Sequence, residues 1–483
     1  MNAFAERPPA FSTDELAALA RDLYGLSGQV KPLASERDQN ARLTADGQSY
    51  VLKIANAAED LNLLNLQNST MSHLATQGVP GIPRLVHLPD GFPMGRVTGA
   101  DGRSHAVRLV TWIGGRPLAE TPRTAAQAAA LGRFLGRLTR GLQGFGHPAA
   151  FRHDFPWSLD DAQRMAPWAA DIADPGARAR VERIFARHAA RVVPRLPGLR
   201  ASVLHQDAND HNVIVAADAP DRIEGLIDFG DMGFGRTVNE LAIGLAYALL
   251  GATDLYATTR AMVEAYTAEF PLAAEEAELV FDLALTRLAV SLSISSHQSR
   301  LHPENDYLLI SQAPALALIE RTDTLDRDFL AALCRKAAGH DATSAAADVR
   351  RFLETTGDIR PPLPSLDGAA RMALLTASLP DMPAYSDRAF DPWFEAQRPT
   401  ALPAGEPFIG LGPYLEERAV YRTDQFADAA SPERRTRHLG IDLFAPAGTA
   451  LHAPLPGIVE SVTYNADPLD YGHTLILRHE TDT

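Results

Sequence analysis

Two polar clusters near the middle of the chain contain the residue types that phosphoryl transfer requires. Residues 205–212 have the sequence HQDANDHN, and residues 227–231 have the sequence IDFGD. Phosphoryl transfer needs positioning, charge neutralisation by Mg²⁺ and a carboxylate that accepts the proton of the attacking hydroxyl. We therefore predict Asp207 as the catalytic base. Asn212 and Asp228 offer the hard oxygen atoms that Mg²⁺ prefers, and we predict them as its ligands.

The order of the two clusters carries more information than either cluster alone. Each by itself is compatible with an ordinary polar turn or strand end. Together, about twenty residues apart, they follow the protein-kinase order of a His-x-Asp loop, a downstream Asn and an Asp-Phe-Gly turn. We place His205 among the catalytic residues as a brace of this loop. A zinc site from His205, Asp207 and His211 is conceivable, but it leaves Asn212 and the second cluster unexplained.

A strand with a lysine is predicted upstream of these clusters. Residues 48–55, QSYVLKIA, follow a turn and are rich in β-branched and aromatic residues, which predicts the second strand of a hairpin. Lys53 lies inside this strand and is predicted to contact the α- and β-phosphates of a nucleotide. A solvated surface lysine is the alternative, and the position of Lys53 ahead of the two clusters favours the phosphate contact.

Two further segments complete the predicted nucleotide site. The polar turn SERDQN precedes the lysine strand and is predicted to cover the phosphates, although it has no Gly-x-Gly-x-x-Gly and an ordinary turn is an equal alternative. Residues 107–113, VRLVTWI, are predicted to form a strand that ends at Gly114 and Gly115. This pattern predicts a hinge between the two lobes, whose backbone groups bind the nucleobase. The residues predicted to bind the nucleotide in these segments are Ser35, Gln39, Asn40, Thr111 and Trp112.

The remaining pattern predicts a small sheet lobe followed by a helical lobe. Residues 12–24 and 59–77 have apolar residues at helical spacing, and so does most of the chain from 124 to 336. Strand-like runs at 213–215 and 223–227 lie beside the two polar clusters. We predict an α+β fold of the two-lobed protein-kinase type.

Beyond residue 340 the composition changes and prolines become frequent. This change predicts a connector with short helices at 345–356 and 368–378, followed by a β-rich module. The predicted domains are a sheet lobe at 1–112, a helical lobe at 113–340, the connector at 341–405 and the β module at 406–483.

The composition of the 483 residues excludes several classes of protein. A formal net charge of −15 argues against general binding to nucleic acid, which depends on Lys and Arg side chains that neutralise phosphates. No apolar run approaches the roughly 20 residues that span a bilayer, and the N-terminal residues do not resemble a secretion signal. We therefore expect a cytoplasmic protein with no membrane partner. Cys334 is the only cysteine, which excludes an intrachain disulfide.

The order SERDQN, YVLKIA, RLVTWIGGRPL, HQDANDHNV and IDFGDM resembles the aminoglycoside phosphotransferase and choline kinase superfamily, over roughly residues 12 to 335. Within it the chain looks closest to the hydroxylysine kinase branch. The resemblance implies Asp207 as base, Asn212 and Asp228 as Mg²⁺ ligands, Lys53 as the phosphate-binding lysine, and ATP or GTP as the phosphoryl donor.

The chain also departs from the family pattern. Related kinases commonly pair the lysine with a helix glutamate, where this chain offers Gln67, with Glu59 as the nearest charged alternative. Ala41 stands where the branch often has an aromatic residue. Some members of the branch are joined to a pyridoxal-phosphate phospholyase, so the resemblance implies a phospholyase as a fused or separate partner.

The expected function is transfer of the γ-phosphoryl group to a hydroxyl of an amino alcohol or a hydroxylated amino acid. Asp231, Glu240 and the acidic net charge suit a cationic amine on the substrate, and the alternative for Glu240 is a favourable charge at a helix N-terminus. The alternative is a pseudokinase that binds a nucleotide or metabolite without turnover. The presence of Lys53, Asp207, Asn212 and Asp228 disfavours it.

The C-terminal segment has a second chemical pattern, His438-Leu-Gly-Ile-Asp442, followed by glycine-rich and strand-like sequence. It resembles the lysostaphin-type zinc endopeptidases, in which the His and Asp of this motif bind Zn²⁺. The later His-x-His element of that family is not found after His479, so either the chain was cut or the domain has lost its chemistry. We expect a degenerate zinc site and a structural β module without peptidase activity.

Overall fold

The structure is a computed structural model with two compact units, Met1–Ala342 and Thr343–Thr483. The division lies beside the predicted boundary at residue 340, while the finer boundaries at 112 and 405 stay predictions. The residues that the structure describes are 8–35, 38–100, 102–301, 312–357, 359–363, 372–375, 382, 388–416, 427–428, 430–434, 437–467 and 470–480.

The first unit begins with a helix and an antiparallel sheet. The elements are α1 (Thr13–Tyr24), β1 (Gln29–Leu33), β2 (Gln39–Ala45), β3 (Gln48–Ile54), α2 (Leu61–Thr76), β4 (Leu85–Val86), β5 (Gly95–Thr98) and β6 (Ser104–Thr111). The six strands form one sheet in the order β1-β2-β3-β6-β4, with β5 also paired to β6.

The predicted helices and hairpin of this region are confirmed, and local sequence explains their ends. Ser12 caps α1 in a capping box with Glu15, and Gly25 ends the helix in a left-handed conformation. Leu16 of α1 packs onto the sheet core, which includes Leu43 of β2. The register places Lys53 of β3 between Asn40 of β2 and Arg108 of β6.

The rest of the first unit is mostly helical, with short strands at the predicted polar clusters. Its regular elements are β7 (Arg116–Pro117), α3 (Ala125–Gly141), α4 (Pro175–Arg187), β8 (Ala201–Leu204), β9 (Val213–Val215), β10 (Ile223–Leu226), β11 (Gly233–Arg236), α5 (Val238–Ala248), α6 (Leu255–Glu269), α7 (Ala274–Leu301), α8 (Gln312–Thr322) and α9 (Arg327–Ala337). Single-turn and irregular helices occur at Leu118–Glu120, Pro148–Ala150, Ala162–Asp171, His188–Val192 and Val193–Gly198.

The two predicted strand-like runs are β9 and β10, which pair as an antiparallel hairpin. The sequence pattern missed β8 and β11, which pair with each other and flank that hairpin in the chain. Strands of four residues are too short to show a clear alternation of apolar and polar side chains.

α7 is the helix among the described residues whose length and apolar composition would suit a membrane span. Of its most apolar window, 89% is buried inside the protein. This burial is typical of the core helix of a globular domain.

Two glycines let the sheet region approach β10 closely. The amide of Leu226 donates to the carbonyl oxygen of Gly81 at 3.0 Å. A Cβ atom on Gly225 would lie 2.2 Å from that oxygen, and Gly81 itself has a φ of +73°, which other residues rarely adopt. This contact ties the segment between α2 and β4 to the strand that leads to Asp228.

The second unit contains short strands and two short helices. Its elements are α10 (Ala346–Thr355), β12 (Met372–Leu374), α11 (Phe390–Glu395), β13 (Ile409–Gly412), β14 (Ala427–Asp428), β15 (Ser431–Arg434), β16 (Asp442–Phe444), β17 (Ile458–Asn465) and β18 (Gly472–Arg478). β13 lies between β12 and β16, and a small core surrounds Leu375, Phe408 and Phe444.

The predicted helix at 368–378 is wrong where the structure describes it. Residues 372–374 form β12, which pairs in parallel with β13. Pairing with β13 overrides the helical preference of Met, Ala and Leu in this segment. Residues 368–371 and 376–378 lie outside the described residues.

Candidate active site

The two polar clusters lie at the ends of neighbouring short strands. Residues 205–212 connect β8 to β9, and Asp228 follows β10. Because β9 and β10 pair, the clusters meet: the amide of Ile227 donates to the carbonyl oxygen of Asn212 at 3.0 Å. The fold thus brings Asp207, Asn212 and Asp228 to one end of a hairpin.

The carboxylate of Asp207 accepts hydrogen bonds from three side chains. Asn209 Nδ2 lies 3.0 Å from both carboxylate oxygens, Asn212 Nδ2 lies 2.6 Å from Oδ2, and the guanidinium of Arg287 lies 2.8 Å from Oδ1. Asn209 is itself fixed, because its Oδ1 accepts from the amides of His211 and Asn212. The group predicted to be the base is held in one orientation.

The amide group of Asn212 has a defined orientation towards Asp207. Its Nδ2 also donates to the backbone oxygen of Asp207 at 3.1 Å. Because the nitrogen is used in this way, the Oδ1 atom is the one left to bind a cation. This arrangement suits the predicted role of Asn212 as a metal ligand.

Asp228 has an unusual backbone conformation. Its φ is +61°, in the left-handed region that non-glycine residues adopt rarely, and Gln206 in the other cluster has a φ of +64°. Asp228 Oδ1 accepts from the amide of Gly230 at 3.2 Å, and the residue is exposed. Backbone strain of this kind is concentrated at functional sites.

His205 and Glu240 brace the loop from inside the protein. Both side chains are fully buried, and His205 Nδ1 accepts from the amide of Asp207 at 3.2 Å. The His205 ring meets Phe229 edge-on at 4.7 Å between centroids. Burial lowers the pKa of His205 to about 4, so the ring is neutral near pH 7. This geometry agrees with the predicted bracing role.

Glu240, in the first turn of α5, accepts from the amides of His205 at 2.7 Å and Gln206 at 3.4 Å. Burial raises the pKa of Glu240 to about 7, and the two backbone hydrogen bonds act in the opposite direction. The sequence suggested either a substrate contact or a helix-terminus charge, and the structure places Glu240 under the loop as a support.

Three carboxylates share the site. Burial raises the pKa of Asp207 well above its usual range, and the charges of Asp231 and Asp228 act in the same direction, while Arg287 opposes them. Asp231 therefore lies within electrostatic reach of the predicted base. The loop that carries it is fixed by Arg152, which donates to the backbone oxygens of Gly230 at 3.0 Å and Met232 at 3.3 Å.

Arg287 is a site residue that the sequence reasoning missed. It lies in the middle of α7 and is only 2% exposed. The signal was a single arginine within the apolar stretch LVFDLALTRLAVSLSI, because a charged residue on a fully buried helix face needs a specific partner. Its partner is Asp207, 80 residues earlier in the chain.

Arg108 was also missed, and it adds a second cation beside Lys53. Arg108 is buried, and its guanidinium donates to Asn68 Oδ1 of α2 at 3.2 Å. Burial lowers the pKa of Arg108, while the charges of Asp38, Asp228 and Glu59 oppose this. The paired strands β3 and β6 thus present two neighbouring cations, and Asp228 lies within electrostatic reach of one of them, Arg108.

The partner proposed for Lys53 is not seen in the structure. Lys53 is half-buried, and among the described residues it takes part in no ion pair. Gln67 is buried in α2, and the next residue, Asn68, binds Arg108 rather than Lys53. Gln67 and Glu59 stay the two predicted candidates for orienting Lys53.

The predicted phosphate-covering turn is only partly described, because residues 36 and 37 lie outside the described residues. Ser35 is exposed, and its hydroxyl accepts from Asn40 Nδ2 at 3.1 Å. The side-chain amide of Gln39 makes two hydrogen bonds with the backbone of Phe11, at 2.7 and 2.8 Å. Gln39 thus fixes the segment before α1, whereas Ser35 stays accessible.

The hinge residues Thr111 and Trp112 use their backbone amides within the lobe. Thr111 bonds to the backbone oxygen of Arg84 at 2.8 Å, and Trp112 bonds to that of Ser49 at 3.0 Å. The guanidinium of Arg42 lies over the Trp112 ring at 4.5 Å. Their predicted nucleobase contact stays a prediction.

In the second unit the predicted pair gains a third member. Ligand atoms of Glu416, His438 and Asp442 all lie within 4.8 Å of one another. His438 Nε2 is 3.6 Å from Asp442 Oδ1, and His438 Nδ1 is 3.9 Å from Glu416 Oε1. Two later histidines have other partners. The ring of His473 packs on Tyr464, and His479 Nδ1 is hydrogen-bonded to the backbone oxygen of Pro456.

Comparison with known families decides the class of the first unit. The profile described as "phosphotransferase enzyme family" matches residues 29–279, which is more than half of the chain. The chain belongs to this phosphotransferase family. The match includes both polar clusters and the lysine strand. The predicted activity class, a phosphotransferase with an alcohol group as acceptor, is confirmed.

Curated relatives in this phosphotransferase family carry the name hydroxylysine kinase. The protein of Mus musculus is 28% identical over 330 residues, covering 64% of this chain and 88% of the relative. The protein of Xenopus laevis is 29% identical over 327 residues, covering 63% of this chain and 87% of the relative. The predicted resemblance to the hydroxylysine kinase branch is therefore confirmed as sequence similarity.

Solved structures confirm the predicted kinase-like fold of this family member. A microcompartment-associated aminopropanol kinase aligns with a TM-score of 0.52 and 19% identity, covering 68% of this chain and all of that structure. An amicoumacin kinase in complex with AMP-PNP, Ca²⁺ and Ami aligns with a TM-score of 0.50 and 17% identity, covering 66% of this chain and 96% of that structure. At these identities the alignments establish the fold.

Proposed function

We propose that the chain transfers the γ-phosphoryl group of ATP or GTP to the hydroxyl of a small hydroxylated amine, such as an amino alcohol or a hydroxylated amino acid. The observation that carries this proposal is that Asp231 lies within electrostatic reach of the fixed carboxylate of Asp207. Asp207 suits the hydroxyl and Asp231 suits an ammonium group. The names of the relatives, hydroxylysine kinase and aminopropanol kinase, support an acceptor of this class.

The residues present fit a nucleotide with a divalent metal ion. Asn212 Oδ1 and the exposed carboxylate of Asp228 are hard oxygen donors at one end of the hairpin, and we assign Mg²⁺ to them. When bound, Mg²⁺ neutralises charge on the triphosphate oxygens. Lys53 and its neighbour Arg108 supply positive charge for the phosphates from the sheet.

In the reaction, Asp207 accepts the proton of the substrate hydroxyl as its oxygen attacks the γ-phosphorus. A new oxygen–phosphorus bond forms, the bond from the γ-phosphorus to the β–γ bridging oxygen breaks, and a nucleoside diphosphate leaves. His205 is neutral and buried, so its part is to hold the amide of Asp207 in place. Positioning and electrostatics supply most of the rate enhancement in such reactions.

Matched acceptors test the proposed substrate class. We expect 5-hydroxylysine and 1-amino-2-propanol to stimulate release of nucleoside diphosphate, whereas lysine lacks the hydroxyl and 1,2-propanediol lacks the amine. The two incomplete compounds should have kcat/KM values at least about 10-fold lower, because each leaves a polar group of the site without its partner. A neutral diol or sugar that is phosphorylated better than every amine would refute the proposal.

The resemblance also suggests a reaction that follows this one. A phosphorylated amino alcohol is a substrate for elimination of phosphate, and we propose a pyridoxal-phosphate phospholyase, fused or separate, as the partner that consumes the product. Incubation of the product with such an enzyme, with release of inorganic phosphate as the readout, tests this step.

For the second unit we propose a β module of the lysostaphin-type endopeptidase class with a structural role. The support is the position of His438 and Asp442 at the start of a strand with Glu416 beside them. Metal analysis of the purified chain, combined with a cell-wall peptide cleavage assay, tests this. Stoichiometric zinc together with cleavage that is lost in His438→Ala would refute it.

A further inference from the structure

The guanidinium of Arg287 is confined on several sides. It lies over the ring of Trp157 at 4.7 Å and 5.8 Å from the ring centroid of Tyr247, and its Nε is 3.4 Å from Tyr247 Oη. Its remaining contact is the 2.8 Å hydrogen bond to Asp207 Oδ1. An arginine that is 2% exposed and packed on aromatic faces has little rotational freedom, so it imposes its own position on the carboxylate.

The carboxylate needs such a partner. Asp231 and Asp228 act on Asp207 with like charge, and repulsion among three carboxylates would turn or displace the one that has to meet the substrate hydroxyl. Asn209 and Asn212 donate from the same loop and move with it, whereas Arg287 donates from α7. The core helix thereby links the loop to the rigid part of the unit.

We propose that Arg287 is a positioning residue for phosphoryl transfer, which fixes the carboxylate of Asp207 in the orientation that receives the hydroxyl proton. The inference rests on the proposed function, because it assigns Arg287 to the same reaction. It also reaches beyond the segment that the family profile matches, which ends at residue 279. Arg287 acts on Asp207 and not on the substrate.

Variants of Arg287 separate this role from a general contribution to folding. In Arg287→Gln we expect kcat to fall by about 100-fold, while the KM for the nucleotide stays within about 3-fold, because the hydrogen bond that is lost is made to the base and not to a residue predicted to bind the nucleotide. In Arg287→Lys the charge remains but the planar fork is lost, and we expect kcat to fall by at least about 10-fold. A lysine variant with wild-type kcat would overturn the positioning role.

Arg327→Gln is the matched control. Arg327, on α9, is also a largely buried arginine. It pairs at 2.7 Å with Asp282 of α7, the helix that carries Arg287, and it lies over the ring of Phe281 at 5.5 Å. We expect this variant to lose stability but to keep kcat within about 3-fold of wild type. An equal loss of kcat in both variants would show a structural effect and overturn the proposal.

A double-mutant cycle with Asp207→Asn completes the test. If Arg287 acts through Asp207, Arg287→Gln should change kcat by less than about 3-fold in the Asp207→Asn background, because residues that act as a unit are not additive. Independent, multiplicative effects would overturn the proposal.

The same double-mutant cycle can be measured without substrate, from the denaturant midpoints of the four proteins. The midpoint shift caused by Arg287→Gln should be smaller in the Asp207→Asn background, and additive shifts would show that the pair is absent and would overturn the proposal. A wild-type chain that phosphorylates no acceptor, yet shows coupled midpoints, would instead refute the proposed function and this role with it.

Discussion

The Asp207 site and the cluster of Glu416, His438 and Asp442 differ in the distances between their polar groups. Both are visible in the sequence as short motifs of suitable residue types. In the first unit the donors around Asp207 lie at 2.6 to 3.0 Å, within hydrogen-bond distance. In the second unit the separations are 3.6 and 3.9 Å, outside that range. Motif spacing identifies candidate groups, but only contacts from distant elements show which group is fixed for catalysis.

Replacing the predicted base Asp207 has the largest expected effect on activity. In Asp207→Asn we expect kcat to fall by about 10²- to 10⁴-fold, the usual contribution of a general base. Mg²⁺-nucleotide binding should stay nearly intact, because the base acts on the hydroxyl and not on the triphosphate. Steady-state kinetics and nucleotide titration measure the two quantities. Turnover near wild type in this variant would refute the assignment.

Removing the exposed carboxylate should have a different signature. In Asp228→Ala we expect the affinity for the Mg²⁺-nucleotide complex to fall by at least about 10-fold, since a charged ligand contributes about 1.5 kcal/mol or more. The Mg²⁺ concentration that gives half of the maximal rate should rise accordingly. Titration of Mg²⁺ at fixed nucleotide measures this, and an unchanged Mg²⁺ dependence would count against Asp228 as a ligand.

The buried carboxyl group of Glu240 should make the unfolding free energy depend on pH. Burial raises the folded-state pKa of Glu240 to about 7, from an ordinary 4.5. Between these values the folded chain binds a proton that the unfolded chain does not, so this group's contribution to stability is present below pH 4.5 and is lost as the pH rises to 7. Glu240→Gln has no such loss.

We therefore expect the unfolding free energy of wild type to fall relative to Glu240→Gln by up to about 3 kcal/mol between pH 4.5 and 8. Denaturant unfolding of both proteins across this range is the measurement. A difference between them that does not change with pH would show that Glu240 is not buried as described.

The smallest expected effect concerns the second unit. We expect His438→Ala to leave kcat and the nucleotide KM within about 2-fold of wild type, because His438 belongs to a separate compact unit and contacts Glu416 and Asp442 there. The acceptor assay used for wild type measures both constants. A larger loss would mean that the second unit takes part in phosphoryl transfer.

The sequence predicts the parts of the site that are close together in the chain. Asp207, Asn212 and Asp228 flank one hairpin, β9 and β10, so their order alone predicts that they meet. The lysine strand follows from β-branched residues after a turn. Arg287, Glu240 and Arg108 were missed or assigned two roles, because their partners are determined by tertiary packing. The helix predicted at 368–378 was wrong at residues 372–374 for the same reason, since its pairing partner β13 is distant in sequence.

The most direct test of the central claim is to observe the phosphorylated product itself. With 5-hydroxylysine, Mg²⁺ and ATP or GTP, ³¹P NMR of the wild-type reaction should show a phosphomonoester resonance coupled to the proton of the hydroxyl-bearing carbon. The same reaction with Asp207→Asn should show almost none. If the wild-type chain produced only inorganic phosphate from the nucleotide, with no ester on any hydroxylated amine, the account of Asp207 as the base of a small-molecule kinase would be contradicted.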